Sequence, residues 1–89
     1  MNEVLYLKVK RTENNSFKID IFENLQEIEF SDCKIYEVKG STKRYLKSMA
    51  DSYLNSINPY DFYISNLERI SNWNKNIKLK KVVDNVYTI

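Results

Sequence analysis

The hydrophobic pattern of the chain changes period within Gly40-Ser41-Thr42-Lys43-Arg44-Tyr45-Leu46. Before this stretch, apolar residues recur at every second position, which is typical of half-buried strands. After it they recur at helical spacing, which is typical of amphipathic helices. Gly40 supplies a permissive backbone, and Ser41 or Thr42 can cap a helix by accepting a backbone N–H bond. The stretch therefore predicts the junction between a sheet and a helical region.

Upstream of this junction the sequence predicts four strands. Residues 4–11 and 17–23 alternate most clearly, and the polar residues between them suit a hairpin turn. Residues 25–30 form a weaker alternating segment, with Ile28 and Phe30 on one side, and Ser31-Asp32 could form a tight turn into a further strand at residues 33–39. The simplest arrangement of the four segments is a meander of sequential antiparallel strands.

Downstream of the junction the sequence predicts two helices. The second begins at Asn58-Pro59, with Asn58 as the cap and Pro59 at the first helical position, where no N–H is needed. It ends around residues 72–74. The apolar stripes expected to face the sheet are Tyr45, Leu46, Met49, Ala50, Tyr53, Leu54 and Ile57 in the first helix, and Tyr60, Tyr63, Ile64, Leu67 and Ile70 in the second.

The C-terminal stretch predicts two further strands, residues 77–83 and 86–89. Asp84-Asn85 lies between them and tolerates positive φ, so it suits a two-residue hairpin turn. The predicted order is ββββααββ in a single domain, residues 1–89. This is an α+β fold in which two helices pack on one face of an antiparallel sheet.

Composition excludes several kinds of catalytic site. The 89 residues include no histidine, one cysteine and one glycine, and 14 basic against 12 acidic side chains give a net charge of +2. A Ser-His-Asp or Cys-His site and a histidine-ligated zinc are therefore impossible, and a phosphate-binding glycine loop needs more than Gly40. We expect a non-enzymatic protein that binds no metal or cofactor.

The sequence also favours a cytoplasmic location. Cys33 has no partner for an internal disulfide, and the first residues lack the basic and apolar regions of a secretory signal. The longest apolar run, Val4 to Leu7, is far too short to span a membrane.

The first candidate site is the outer face of the second helix. Its aromatic and polar residues lie roughly opposite the apolar stripe, and aromatic residues and arginine are enriched in protein interfaces. The alternative is structural: the tryptophan would fold under to close the core, and the phenylalanine would pack on the first helix. The residues of this predicted partner surface are Phe62, Asn66, Arg69 and Trp73.

The second candidate is the outer face of the first hairpin. Tyr6 would face Phe22 across the strands, and aromatic rings between lysines are what binders of single-stranded nucleic acid use. The alternative is a solvated sheet face stabilised by a cross-strand aromatic pair. Lysines expected to accompany the rings in binding nucleic acid are Lys8, Lys10 and Lys18 of the hairpin, with Lys78 and Lys80 of the C-terminal stretch.

Two charged clusters have a functional and a structural interpretation. Lys75, Lys78, Lys80 and Lys81 could bind phosphate, or could guard a strand edge against aggregation. Acidic residues could meet a basic partner or a divalent ion, or could form a soluble edge strand. They are Glu23, Glu27, Glu29, Asp32 and Glu37.

These features favour a small protein-binding module, a stoichiometric inhibitor or adaptor of a larger protein or nucleoprotein machine. The chain is rich in Asn, Lys, Ile and Tyr and has a single Ala, a bias that hints at a low-GC bacterium or one of its mobile elements, including phage. On a mobile element, an anti-defence inhibitor of the anti-CRISPR kind is a natural role. The alternative is a small RNA- or DNA-binding domain whose binding is weak and salt-driven. We expect a monomer or a weak homodimer, the latter through Phe62 and Trp73.

Overall fold

The change of period at Gly40 separates a three-stranded region from a helical pair in the computed structural model, which describes residues 4–85. The strands are β1 (Val4–Arg11), β2 (Phe17–Phe22), β3 (Cys33–Lys39) and β4 (Lys78–Asn85), and the helices are α1 (Lys43–Asp51) and α2 (Pro59–Trp73). All neighbouring strands are antiparallel, in the spatial order β2-β1-β3-β4. The predicted α+β class, an antiparallel sheet with two helices on one face, is confirmed.

Alternation along the two central strands builds the main core. Leu5, Leu7 and Val9 of β1 are buried on the helix side of the sheet, where Tyr36 and Val38 of β3 lie in register beside them. The helices close this layer with Leu46, Met49 and Ala50 of α1 and Tyr60, Tyr63, Ile64, Leu67 and Ile70 of α2. The inward face predicted for α2 is therefore confirmed.

The predicted strand at residues 25–30 is wrong. The Asn24 side chain accepts a hydrogen bond from the backbone N–H of Gln26 at 3.0 Å and begins a single 3-10 turn, Leu25–Glu27. This local bond competes with strand pairing. The segment 23–32 instead crosses the sheet face opposite the helices, where Ile28 is buried against Cys33 and Ile35. β3 then pairs with β1, so the strands do not form a simple meander.

The predicted hairpin turn at Asp84-Asn85 is also wrong. Both residues continue β4, opposite Lys34 and Cys33, and the Asn85 side chain donates to the Phe30 carbonyl at 2.6 Å. These contacts hold the two residues in an extended strand, so their tolerance of positive φ is not used. The predicted last strand, residues 86–89, lies outside the described residues.

The helix boundaries follow the predicted caps with two corrections. The Thr42 hydroxyl accepts from the backbone N–H of Tyr45 at 3.1 Å and caps α1. Asn58 precedes α2 without a side-chain cap bond, because its Oδ1 accepts from the Asn15 side chain instead. α1 ends at Asp51, so the stripe predicted to continue to Ile57 is wrong at its end: Ile57 is 89% exposed.

Candidate protein-binding surface

The outer face of α2 carries the predicted partner surface. Phe62 is 48% exposed and Trp73 is 63% exposed, and Arg69 is exposed between them. Their spacing places all three on one side of the helix, away from Tyr63 and Leu67, which are fully buried. The alternative in which Trp73 closes the core is wrong, because α2 ends at Trp73 and this residue is exposed.

Asn66 belongs to the same helix face but lies at the seam with α1. It is half-buried, and its Nδ2 donates to the Sδ atom of Met49 at 3.1 Å. This bond holds Asn66 between the two helices. Asn66 thus forms the border of the surface, and Phe62, Arg69 and Trp73 form its exposed part.

Exposed apolar side chains concentrate on the helical layer. Five of the six large apolar residues that are exposed within residues 4–85 lie between Lys43 and Trp73, and the sixth, Phe30, lies on the segment over the other sheet face. Exposed apolar residues are normal on a protein surface when they occur singly, so their position relative to one another matters more than their number. The five are Tyr45, Leu54, Ile57, Phe62 and Trp73.

The charges beside this surface leave Arg69 available to a partner. Glu68, its neighbour in sequence, reaches Lys81 of β4 at 3.9 Å on the far side of α2. Lys43 of α1 pairs with Glu23 at 3.3 Å. Within residues 4–85, Arg69 takes part in no ion pair. An unpaired guanidinium between two exposed rings can contact a carboxylate or an aromatic ring of another protein.

Beneath α2 lies a group of buried tyrosines. The hydroxyls of Tyr36, Tyr60 and Tyr63 have no hydrogen-bond partner among the described residues. Burial, as the largest cause, raises the pKa of each of these three phenols above the ordinary value. The Arg11 guanidinium lies 5.5 Å from the centre of the Tyr60 ring and opposes that rise in its pKa. These groups are neutral at physiological pH and belong to the core, not to a reactive cleft.

The aromatic pair predicted on the first hairpin forms, but it is covered. Tyr6 lies opposite Phe22 in the β1–β2 register, as predicted. Both rings are half-buried in a second apolar cluster with Leu25 and Ile28 of the covering segment. The rings therefore lie partly beneath residues 23–32 and do not present open faces for stacking on bases.

The hairpin lysines remain accessible around this covered pair. Lys8 lies opposite Asp20, and Lys10 lies opposite Lys18. Lys10 and Lys18 are exposed and Lys8 is half-buried. The carboxylate of Asp20 beside this small group weakens its attraction for a phosphate backbone.

The C-terminal lysines divide between the two faces of β4. Lys78 and Lys80 lie opposite Lys39 and Glu37 of β3 on the face away from the helices. Lys81 lies on the helix side, where its Nζ is 3.0 Å from Asp84. Its hydrogen bond lowers the pKa of the Asp84 carboxyl. The lysines thus line an edge strand and do not converge on one site.

The acidic residues are dispersed. Glu23 pairs with Lys43, and Glu37 pairs with Lys39 at 3.6 Å. Glu29 accepts from the Ser31 hydroxyl at 3.2 Å. Because no strand forms at residues 25–30, Glu27 and Glu29 do not lie along an edge strand. Within residues 4–85, no three metal-ligating side chains come together.

Cys33 is fully buried beneath the covering segment. Burial is the largest influence on its thiol and raises the pKa, against the opposing effect of the nearby Lys8 and Lys10. The thiol donates weakly to the Glu29 carbonyl at 3.9 Å. Cys33 therefore acts as a small apolar core side chain, packed with Ile28 and Ile35.

Comparisons with known proteins identify no protein that is similar to this chain. No family model, curated protein or solved structure matches the chain. Within the part of the chain that the structure describes, neither helix is long and apolar enough to cross a membrane.

Proposed function

We propose that this chain is a non-catalytic protein-binding module, which acts as a stoichiometric inhibitor or adaptor on a larger protein or nucleoprotein machine. The outer face of α2 contacts the partner. Phe62 and Trp73 supply apolar area, Arg69 supplies a charged anchor between them, and Asn66 lies at the edge against α1. Aromatic residues and arginine at the centre of an interface carry most of its binding energy.

One observation carries the proposal: two large rings are exposed on the same face of a helix whose other face is fully packed. Phe62 and Trp73 retain 48% and 63% exposure although Leu67, on the opposite face, has none. The core does not use these rings, so their stabilising value to the fold is small. An interface gives such rings a use that the isolated chain does not.

The biological setting forms part of the same proposal. The composition bias favours a low-GC bacterium or a mobile element such as a phage, and the absence of histidine argues against the commonest acid–base chemistry. A protein that a mobile element encodes can act on host machinery by binding it, with no catalytic step of its own. We propose a host defence nuclease, of the kind that anti-CRISPR proteins inhibit, as the target class.

The test is affinity capture from a low-GC bacterial lysate with the tagged chain. Wild type, Phe62→Ala, Trp73→Ala and the control Phe30→Ala are compared, with and without nuclease treatment. Phe30 is an exposed ring on the opposite side of the sheet, so its removal matches the loss of surface area without touching α2. We expect a protein that wild type and Phe30→Ala retain after nuclease treatment and that both α2 variants lose.

Two outcomes would contradict the proposal. Equal capture by all four proteins would mean that the α2 face is not the interface. Capture that disappears with nuclease treatment would mean that nucleic acid is the ligand, as in the alternative of a small RNA- or DNA-binding domain.

A further inference from the structure

β2 is an edge strand of the sheet, and a groove runs between it and α1. The groove has a volume of about 340 Å³, and its walls include Phe17 and Ile19 of β2 and Ala50 of α1. Leu54, just after α1, contributes a further apolar side chain to the groove and is exposed. β2 contains neither proline nor a bulge, the features that commonly protect an edge from pairing with another chain.

The free edge of β2 offers backbone groups at alternate residues. Thr12 N–H donates to the Ser16 carbonyl at 2.9 Å, which sets the alternation of hydrogen-bonded pairs along β1 and β2. Lys18 and Asp20 then direct their backbone groups toward β1, and Phe17, Ile19 and Ile21 direct theirs outward. No hydrogen bond to a side chain within residues 4–85 satisfies these outward groups.

The opposite edge of the sheet is protected. The Leu79 backbone N–H of β4 donates to the Ser71 hydroxyl of α2 at 3.3 Å. The register also shifts between Ile35 and Tyr36, which leaves Val82 as an extra residue in β4. β2 is therefore the edge that is ready to accept another strand.

The charges of β2 match those of a second β2 running in the opposite direction. Lys18 and Asp20 precede and follow Ile19 in the sequence. They share one sheet face, opposite to the face of Ile19, and both are exposed. In an antiparallel pair centred on Ile19, Lys18 of each copy lies opposite Asp20 of the other. Opposite charges that face each other across strands stabilise pairing. The same register places Phe17 opposite Ile21 and Ile19 opposite itself on the helix side.

α1 repeats this self-complementary pattern beside the groove. Lys47 and Asp51 are one helical turn apart, are exposed, and line the same groove as Ile19. The two-fold axis of an antiparallel strand pair is perpendicular to the sheet, so it brings the two α1 helices side by side in opposite directions. Lys47 of one copy then lies toward Asp51 of the other. Within residues 4–85, none of these four charged side chains takes part in an ion pair.

We propose that two copies of this chain associate through β2, in antiparallel register centred on Ile19, to form a continuous eight-stranded sheet. Two-fold symmetry requires a surface to be complementary to itself, and Lys18 with Asp20 and Lys47 with Asp51 meet this requirement. The outer face of α2 is not part of the contact. The homodimer thus differs from one through Phe62 and Trp73, and it presents two copies of the proposed partner surface.

The test is sedimentation equilibrium on wild type, Lys18→Glu, Asp20→Lys and the double variant with both changes. The concentration series extends to about 1 mM, where even a weak dimer is populated. We expect wild type to reach twice the 10.7 kDa chain mass. Each single variant places like charges opposite each other and weakens association by about tenfold. The double variant restores the pairing in reversed polarity, and so does a mixture of the two single variants.

Other results would overturn this arrangement. Wild type that remains at the chain mass at every concentration shows that the β2 edge does not pair. A dimer that neither single variant weakens uses another surface. Phe62→Ala serves as the control: if it dissociates the dimer while Lys18→Glu does not, the α2 face is the self-association surface, and the partner surface proposed above is reinterpreted. Capture of a partner by wild type is measured separately, so each proposal can fail alone.

Discussion

At the scale of single residues, Gly40 joins the sheet to the helices in a way that other residues cannot. Its φ is +84°, and a Cβ at this position would overlap the Asn76 carbonyl oxygen at the base of β4. The backbone at the end of β3 and the loop after α2 approach each other here. Glycine permits both the left-handed conformation and the close contact.

Gly40→Ala should therefore lower the free energy of unfolding by about 2 kcal/mol or more. The backbone strain of a positive φ and the overlap of the new Cβ with the Asn76 carbonyl oxygen both destabilise the native state. Denaturant unfolding followed by circular dichroism measures the change. Asn14→Ala is the matched control: Asn14 also has a positive φ, 59°, but lies exposed in the turn after β1. A loss for Gly40→Ala no larger than for Asn14→Ala would contradict the close approach to Asn76.

The buried tyrosines predict a loss of stability at alkaline pH. Burial raises the pKa of Tyr36, Tyr60 and Tyr63 in the folded chain, whereas the unfolded phenols ionise near 10.0. The unfolded state then binds fewer protons than the native state above that pH. The stabilisation is therefore complete below pH 10 and decreases as the pH rises, by up to about 1.4 kcal/mol per pH unit for each tyrosine.

Unfolding free energies measured between about pH 8 and about pH 11 test this linkage. Tyr63→Phe should reduce the slope of the unfolding free energy against pH by the contribution of one tyrosine. It should also leave stability at neutral pH unchanged or slightly higher, because it removes a buried hydroxyl that has no partner among the described residues. A slope that is identical in wild type and Tyr63→Phe would mean that Tyr63 ionises normally in the native protein.

At the scale of elements, α2 is held mainly by its inward stripe. Leu67 is fully buried at the centre of that stripe, and the ring of Tyr63 stacks on Phe17 of β2 with centroids 4.5 Å apart. Leu67→Ala should cost about 2–5 kcal/mol of unfolding free energy. The exposed Ser65, on the same helix, is the control site for Ser65→Ala. If the free energy of unfolding of Leu67→Ala, measured in denaturant, lies within about 0.5 kcal/mol of wild type, Leu67 does not face the core.

The elements that the sequence predicts well are those whose side chains repeat with a clear period. β1, β2 and the inward face of α2 have such a period, and even the register of Tyr6 with Phe22 follows from the five-residue loop. The strand predicted at residues 25–30 had only Ile28 and Phe30 in phase. There, the Asn24 side chain accepts a hydrogen bond from the Gln26 backbone N–H, and this bond favours a turn. The periodicity of apolar residues carries no information about such a hydrogen bond.

Exposure of the site residues could not be predicted from the helix alone. Helical periodicity places Phe62 and Trp73 opposite the core. Whether a ring at the end of a helix packs back against the core depends on the neighbouring loop. α1 ends at Asp51, before its apolar stripe does, and the chain between α1 and α2 leaves Leu54 and Ile57 exposed. The covering segment escapes a period-based prediction for a related reason: a strand would place Leu25 and Ile28, three residues apart, on opposite faces, whereas both pack in the same cluster.

At the scale of the whole molecule, the two proposed surfaces lie on different sides. The outer face of α2 carries Phe62, Arg69 and Trp73, and the edge formed by β2 and α1 carries the self-complementary charges. The remaining large face is the side of the sheet that residues 23–32 partly cover. A dimer through β2 would therefore display two partner surfaces at once, and bivalent binding raises avidity without any new contact.

If the outer face of α2 binds another protein, Trp73→Ala must have a lower affinity than wild type for the partner that wild type captures. Affinity by calorimetry and melting temperature are measured on the same samples, with Phe30→Ala as the control. We predict an unchanged melting temperature and a loss of about 2 kcal/mol or more in binding free energy, with Phe30→Ala equal to wild type. Full affinity in Trp73→Ala, or a large fall in its melting temperature that accounts for weaker binding, would contradict the claim.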